Sequence, residues 1–279
     1  MMDVSHPEIL DAVRRALDED IGGGDVTSEA CIAAGQTASG EFLARESQVV
    51  AGIELLPLIY DARGGVERID LRKQSGDRTG ADEVLATVSG NARTLLACER
   101  VALNFLQRLG GVATLAARYV SRVEGTGCRV LDTRKTTPGL RRLEKMAAAA
   151  GGVINHRMGL YDAILIKNNH IAAAGGVRRA IEAARKASPL PIEIEVRTRE
   201  ELSEALDAGA KHVLLDNLTP VEAVELIRIA KGRAKVELSG GVTLDNVRDY
   251  AQTGADFVSS GAITHSAIAV DVSFRLKLN

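Results

Sequence analysis

Four apolar runs in the second half of this 279-residue chain decide its fold: IEIEV at residues 192–196, HVLL at 212–215, AKVEL at 234–238 and ADFVS at 255–259. Each run is followed by a polar or glycine-containing turn and then by a helical pattern, and the unit repeats every 21–23 residues. Repeated strand–helix units of this length predict parallel strands joined by helical crossovers.

Two earlier runs extend the series, CRVLD at 128–132 and AILI at 163–166. Continuously apolar strands are typical of sheets that are covered on both faces. About six units are close to the number that closes a TIM-type barrel. We therefore predict an α/β fold with a TIM-like barrel, and an open doubly wound sheet is the alternative.

The first hundred residues follow a different pattern. A helix is predicted over Pro7–Asp20 and another over Glu54–Ala62. Short β-prone runs punctuated by Gly and Asp predict an antiparallel or mixed sheet with strands at Ala38–Ala44, Val49–Gly52, Val66–Leu71 and Glu83–Ser89.

Two further predictions concern the ends of this first region. Helices over Arg93–Leu109 and Val112–Val123 are expected to be separated by Gly110-Gly111. The tail VDVSFRLKL alternates apolar and polar residues, which predicts a last strand that rejoins the N-terminal sheet. We expect one domain from residues 1–107 plus 265–279, and a barrel domain from residues 108–264.

Composition excludes several classes of function. Lys and Arg total 35 against 37 Asp and Glu, aromatic residues are 3% of the chain, and Trp is absent, so nucleic-acid and membrane-surface binding are not expected. Three cysteines without a C-x-x-C pair favour neither a disulfide framework nor a zinc site. No signal-peptide or membrane-span pattern is present, so we expect a cytoplasmic protein.

Polar or small residues follow the predicted barrel strands, where the active sites of such barrels lie. They are Thr133, Arg134, Lys135, Lys167, Glu195, Asp216, Ser239, Gly240, Gly241, Ser260 and Gly261. Each has a structural alternative: Lys167 could extend to solvent, Asp216 could cap a helix and Glu195 could pair with a surface Lys. Their shared position favours one functional rim.

Basic residues concentrate in one part of this rim. Between Asp132 and His170 they are Arg134, Lys135, Arg141, Arg142, Lys145, His156, Arg157, Lys167 and His170. Arg141, Arg142 and Lys145 could instead form the solvent-exposed face of a helix. Because charge-assisted bonds to a carboxylate or phosphate contribute roughly 1.5–3 kcal/mol each, the cluster predicts an anion site suited to a dicarboxylate.

Glycines and carboxylates predict the rest of the site. Gly240, Gly241 and Gly261 follow strands, and a helix is expected near Thr243, so backbone N–H groups could bind a phosphate. Glu195 and Asp216 could bind a divalent cation, contact sugar hydroxyls or stabilise positive charge. No Walker A, G-x-G-x-x-G, H-E-x-x-H or G-x-S-x-G pattern is present.

Seven stretches make the chain resemble the quinolinate phosphoribosyltransferase family: ERVALNFLQRLGG, LDTRKTTPGLRRLEK, NHRMGLYDAILIKNNHIAAAGG, EIEV, LLDN, ELSGG and GAITHSA. The resemblance implies an α/β sandwich domain plus an incomplete α/β barrel, in a homodimer. It also implies transfer of a phosphoribosyl group from phosphoribosyl pyrophosphate to quinolinate with decarboxylation, giving nicotinate mononucleotide, pyrophosphate and CO₂ for NAD biosynthesis.

The resemblance also implies roles for individual residues. Quinolinate would contact Thr133, Arg134, His156, Arg157 and Lys167, with Arg100 from the other subunit. Lys135, Glu195 and Asp216 would be the catalytic residues, and the two carboxylates would hold Mg²⁺. Phosphoribosyl pyrophosphate would contact Lys135, Lys167, Glu195, Asp216, Ser239, Gly240, Gly241, Ser260 and Gly261.

Three other functions remain open at this stage. The molybdenum-locus paralogue of the family would act on a different anion. A Schiff-base aldolase would use Lys167 as its nucleophile. A sensor would bind phosphoribosyl pyrophosphate without consuming it.

Overall fold

The structure is a computed structural model that describes residues 3–278. Its strands, in chain order, are β1 Thr37–Ala44, β2 Gln48–Val49, β3 Arg68–Leu71, β4 Arg78–Thr79, β5 Val84–Asn91, β6 Arg129–Leu131, β7 Ile164–Ile166, β8 Ile192–Val196, β9 His212–Asp216, β10 Lys235–Ser239, β11 Phe257–Ser259 and β12 Val272–Leu278. Its helices are α1 Pro7–Ile21, α2 Val26–Cys31, α3 Leu55–Asp61, α4 Ala92–Val123, α5 Arg141–Ala150, α6 Asn168–Ala174, α7 Val177–Ala187, α8 Arg199–Asp207, α9 Pro220–Ala230, α10 Val247–Ala251 and α11 Ala262–His265.

The chain divides into two compact units. Among the described residues, the first contains 3–117, 137–152 and 267–278, and the second contains 118–136 and 153–266. This division differs from the expected boundaries because it adds residues 108–117 and 137–152 to the first unit and places residues 265–266 in the second. Within that unit, Arg108 of α4 forms a 2.7 Å ion pair with the buried Glu144 of α5, which ties α5 to the N-terminal part of the chain.

The sheet of the first unit is antiparallel, with the order β12-β1-β5-β3. The predicted return of the C-terminal strand to the N-terminal sheet is confirmed, since β12 pairs with β1 from Ala44 to Ala38. Phe274 of β12 packs on Phe42 with ring centroids 4.8 Å apart. Period-two alternation therefore identified the correct sheet for a strand far away in sequence.

The predicted helix break at Gly110-Gly111 is wrong, because α4 runs without interruption through both glycines. The glycines serve a close approach instead. A Cβ on Gly111 would lie 2.1 Å from the carbonyl oxygen of Ile268, and one on Gly110 would lie 2.8 Å from Val270 Cγ2. The pair leaves room for the chain before β12 to cross the helix.

The second unit contains a parallel sheet with the order β6-β11-β10-β9-β8-β7. The six predicted runs all form strands, and helices connect them as the repeat predicts. Strand β6 lies beside the last strand, β11, and its Leu131 also forms a parallel bridge with Ile154. The arrangement is an incomplete TIM-like barrel, so the predicted α/β class is confirmed.

The register of this sheet brings the polar strand ends to within two residues of one another along the strands. Ser239 of β10 lies opposite Asp216 of β9, and Glu195 of β8 lies opposite Leu214. Because alternate residues of a strand share a face, Glu193 and Glu195 point to one side of the sheet, as do Glu237 and Ser239. None of the helices formed by residues 3–278 combines the length and apolarity of a bilayer span.

Candidate active site

A cavity of about 720 Å³ lies in the second unit, at the C-terminal ends of its strands. Its walls include the following residues expected from the sequence: Thr133, Arg134, Lys135, His156, Arg157, Lys167, Glu195, Asp216, Ser239, Gly240, Gly241, Ser260 and Gly261. Arg100 is not among the lining residues and is exposed on α4 of the first unit. The barrel topology therefore brings residues from separate strand–helix units to one cavity.

Cationic side chains line one part of the cavity. Arg134 and Arg157 are half-buried, and Lys167 is exposed at the end of β7. Burial and the neighbouring Arg134 guanidinium both lower the pKa of Arg157. Two guanidinium groups that repel each other in a partly desolvated wall form a region of positive potential, which suits a multiply charged anion.

His156 is held by hydrogen bonds at three points. Its backbone N–H donates to the buried Asp132 carboxylate at 2.8 Å, and its Nδ1 accepts the N–H of Arg157 at 2.7 Å. Its Nε2 lies 3.0 Å from Glu193 Oε2 and 3.5 Å from Glu237 Oε2. The Nδ1 contact places the ring proton on Nε2, facing the two carboxyl groups.

The protonation of His156 is subject to opposing effects. Burial lowers the pKa of His156, but the hydrogen bonds to Glu193 and Glu237 outweigh burial and raise it to about 10. A second proton on Nδ1 would displace the Arg157 N–H, which opposes that rise. The proton on Nε2 is present in both the neutral and the charged ring, and it faces Glu193 and Glu237.

Lys135 is positioned by the last strand–helix connection. The Thr264 hydroxyl donates to the Lys135 carbonyl at 2.8 Å. A Cβ on Gly261 would lie 2.7 Å from Lys135 Cδ, so the lysine side chain crosses the glycine backbone directly. This contact gives Gly261 a steric role in addition to any use of its N–H group.

The carboxylates Glu195 and Asp216 share a cation. Arg197 Nη2 lies 3.1 Å from Glu195 Oε1 and 3.2 Å from Asp216 Oδ2. Asn217 Nδ2 donates to the same Asp216 oxygen at 2.5 Å. Carboxylate oxygens are hard donors of the kind that divalent cations such as Mg²⁺ prefer.

The Gly240-Gly241 turn has a left-handed backbone, with φ values of +92° and +64°. Asn217 also has a positive φ, +59°, and its N–H donates to the Ser239 carbonyl at 2.8 Å. The buried Ser260 hydroxyl donates to the Val242 carbonyl at 2.8 Å, so the serine supports the turn. Gly240 and Gly241 line the cavity, so no side chain separates their backbone from it.

Two sequence expectations need correction here. The helix expected near Thr243 begins only at Val247, as α10 Val247–Ala251, and the Thr243 N–H donates to Asn246 Oδ1 at 2.8 Å. Arg141, Arg142 and Lys145 belong to α5 in the first unit. Lys145 is fully buried, so it does not lie on a solvent-exposed helix face.

Sequence reasoning did not single out several residues near the site. His265, Ser266, Asn217 and Glu237 line the cavity, and Arg197 pairs with its carboxylates. Asn217 and His265 lie in the LLDN and GAITHSA stretches, which could have indicated them. Glu237 carried no signal beyond its place two residues before Ser239, on the same strand face.

One group of three potential metal ligands occurs within residues 3–278, formed by His156, Glu193 and Glu237. Their ligand atoms all lie within 4.8 Å of one another.

A second cleft of about 710 Å³ lies at the opposite ends of β9 and β10 and contains none of the expected site residues.

Comparisons with known proteins identify the family of the chain. The family described as "Quinolinate phosphoribosyl transferase, C-terminal domain" matches residues 112–275, and its N-terminal domain matches residues 25–110. The chain is 41% identical over 273 residues to the nicotinate-nucleotide pyrophosphorylase [carboxylating] of Mycobacterium leprae, covering 95% of this chain and 96% of that protein. It is 38% identical to the probable enzyme of that name from Bacillus subtilis, covering 99% and 96% of the two chains.

Solved structures show the same similarity. The nicotinate-nucleotide pyrophosphorylase from Francisella tularensis superposes with a TM-score of 0.92 at 34% identity, covering 98% of each chain. Family matches that span most of the sequence, together with these relatives, leave one conclusion. The chain belongs to the quinolinate phosphoribosyltransferase family.

Proposed function

We propose that this chain transfers the phosphoribosyl group of phosphoribosyl pyrophosphate to the ring nitrogen of quinolinate and removes one carboxylate as CO₂. The products are nicotinate mononucleotide and pyrophosphate, in NAD biosynthesis. One observation carries the proposal: the cations Arg134, Arg157 and Lys167, the carboxylates Glu195 and Asp216, and the glycine turns line one cavity of about 720 Å³. The names of the relatives support this reaction over that of the molybdenum-locus paralogue.

Binding of the dicarboxylate is assigned to the cationic wall. Arg134, Arg157 and Lys167 would pair with the two carboxylates, and His156 fixes the backbone of Arg157 through Nδ1. The pyridine nitrogen already has a free lone pair, so attack on the anomeric carbon needs positioning and no strong base. The hydrogen-bonded loop that carries His156 and Arg157 would therefore orient quinolinate for this attack.

The sugar phosphate is assigned to the other wall. Backbone N–H groups of Gly240, Gly241 and Gly261 would bind its 5′-phosphate, and Lys135 would neutralise the leaving pyrophosphate. Glu195 and Asp216 would stabilise positive charge that develops on the ribose. Since the glycines have no side chains, the phosphate can approach the backbone closely.

Glu195 and Asp216 are also the residues that we assign to Mg²⁺. Their oxygen donors fit this ion, and they already share the Arg197 guanidinium at 3.1 and 3.2 Å. Bound Mg²⁺ would neutralise negative charge on the pyrophosphate group.

We further propose a homodimer in which Arg100 completes the quinolinate site of the partner subunit. The exposed position of Arg100 on α4 and its absence from the cavity of its own chain support this proposal. Cross-complementation tests it: a mixture of Arg100→Ala and Lys135→Ala chains should recover activity, because mixed dimers contain one intact site. No recovery would place Arg100 outside the site.

The reaction is tested with the purified full-length chain, quinolinate, phosphoribosyl pyrophosphate and Mg²⁺. We expect equal amounts of nicotinate mononucleotide, pyrophosphate and CO₂, and no product when quinolinate is omitted. Binding of phosphoribosyl pyrophosphate without turnover would identify a sensor. Borohydride trapping of a carbonyl substrate on Lys167 would identify an aldolase.

A further inference from the structure

Glu237 is a buried carboxyl group in the wall of a cavity otherwise suited to anions. It lies on β10, is 3% exposed, and shares a strand face with Ser239. The roles proposed for binding quinolinate, the sugar phosphate and Mg²⁺ do not involve Glu237. A carboxyl group at this position needs an explanation, because an ionised one would repel a dicarboxylate substrate.

The groups around Glu237 come from each neighbouring element. Glu193 of β8 and the His156 ring form the cluster with it, and the Ser259 hydroxyl of β11 hydrogen-bonds to it. The register partner on β9 is the apolar Leu214, and the buried Cys128 thiol precedes β6. The Arg157 guanidinium interacts electrostatically with Glu193, and its backbone N–H donates to the His156 ring.

One N–H group serves two carboxyl groups in this cluster. His156 Nε2 is 3.0 Å from Glu193 Oε2 and 3.5 Å from Glu237 Oε2, and Nδ1 is already an acceptor for the Arg157 N–H. Glu193 therefore receives the shorter hydrogen bond. Glu237 has the longer contact with Nε2, together with the Ser259 hydroxyl.

These contacts favour a proton on Glu237. Burial raises the pKa of Glu237, and the charge of Glu193 raises it further. Two neighbouring carboxyl groups whose environments favour different protonation states are a common arrangement for acid–base catalysis. A neutral acid in the wall also leaves the positive potential of the cavity intact.

We propose that Glu237 is the general acid that replaces the departing carboxylate of quinolinate with hydrogen. This inference rests on the proposed function. In the step, the bond between ring carbon 2 and its carboxylate breaks, CO₂ leaves, and the electron pair stays on the carbon beside the pyridinium nitrogen. That pair takes the Glu237 proton to form the C–H bond, and the Glu237 carboxylate regains a proton from water.

Glu237→Gln in the full-length protein separates this role from a structural one. Gln has the shape of a neutral carboxyl group, accepts from His156 Nε2 and can donate to Glu193, but it cannot supply a proton. We expect quinolinate affinity by calorimetry to be unchanged. We expect pyrophosphate release with accumulation of the carboxylated nucleotide, because the carbanion recaptures CO₂.

The matched control is Glu193→Gln, an identical change in a cluster member that does not line the cavity. We expect roughly 10²-fold or greater loss of nicotinate mononucleotide formation in Glu237→Gln, and less than about tenfold loss in the control. Near-normal product formation by Glu237→Gln would overturn the proposal, and so would loss of its quinolinate binding. Absence of product from the unsubstituted chain would instead count against the proposed function.

Discussion

Asn217 and Gly240 lie in such close contact that a Cβ on the glycine would be 2.2 Å from Asn217 Oδ1 and 2.8 Å from the Asn217 backbone nitrogen. Both residues have a positive φ, and Asn217 also donates to Asp216. The turn after β10 is therefore coupled sterically to Asn217, which follows Asp216 at the end of β9. This coupling links the expected phosphate site to the expected ribose site.

We predict that Gly240→Ala weakens phosphoribosyl pyrophosphate binding and leaves quinolinate binding intact. Strain in a left-handed backbone costs roughly 1–3 kcal/mol, which corresponds to about a 5- to 150-fold rise in KM for the sugar phosphate. Gly35→Ala is the control, since nothing lies within 4 Å of a Cβ there. An unchanged KM would show that the turn tolerates a side chain.

Removal of Lys135 or Arg134 should abolish formation of nicotinate mononucleotide while the protein stays folded. Each lost charge-assisted bond should cost roughly 1.5–3 kcal/mol in transition-state binding. In steady-state assays, Lys135→Ala should lower kcat/KM more for phosphoribosyl pyrophosphate. Arg134→Ala should lower it more for quinolinate. Circular dichroism checks the fold, and Lys186→Ala on the exposed part of α7 serves as the control. Near-normal turnover in either variant would refute the assignment.

Arg197→Ala should strengthen divalent-ion binding. The arginine side chain is 49% exposed and occupies the Glu195 and Asp216 oxygens that we assign to Mg²⁺. Because partly exposed ion pairs contribute about 0–1 kcal/mol, we expect up to about a fivefold gain in Mn²⁺ affinity, measured by calorimetry without substrates. Arg199→Ala, which removes the exposed pair with Glu225, should change nothing. Weaker Mn²⁺ binding would contradict the assignment.

Gly111→Ala should destabilise the protein although alanine favours helices. Helix propensity alone predicts a gain of about 1 kcal/mol, but the new Cβ would lie 2.1 Å from the Ile268 carbonyl oxygen. Overpacking of this kind costs roughly 1–3 kcal/mol, so the urea midpoint should fall. Gly35→Ala again provides the comparison. A higher midpoint would show that the two segments can separate at little cost.

Glu237 should make the stability of the protein pH-dependent. Burial, followed by the charge of Glu193, raises the pKa of Glu237 above its ordinary value of 4.5. Its stabilising contribution is therefore complete below pH 4.5 and is lost as the pH rises through the raised pKa. Glu237→Gln cannot ionise, so the difference between its Tm and that of the unsubstituted protein should shift in favour of the variant as the pH rises above 4.5. A constant difference between the two Tm values would show that Glu237 titrates normally.

The sequence by itself determined most of the second unit. Strands β6 to β11 follow from the mainly apolar runs, because a strand covered on both faces must bury most of its side chains. That the C-terminal residues of these strands lie together could also be predicted, because parallel strands place their C-terminal ends at one edge of the sheet. The role of β12 followed from alternation at period two.

Only the tertiary structure decided features that depend on distant contacts. The sequence predicts a helix break at Gly110 and Gly111. In the structure, their missing side chains allow residues 268–270 to pass close to α4. Residues 137–152 join the first unit through the Arg108–Glu144 pair, although they interrupt the barrel repeat. Glu237 meets His156 and Glu193 only after three segments converge. Sequence patterns record which face a residue occupies, whereas the partner on that face is fixed by packing.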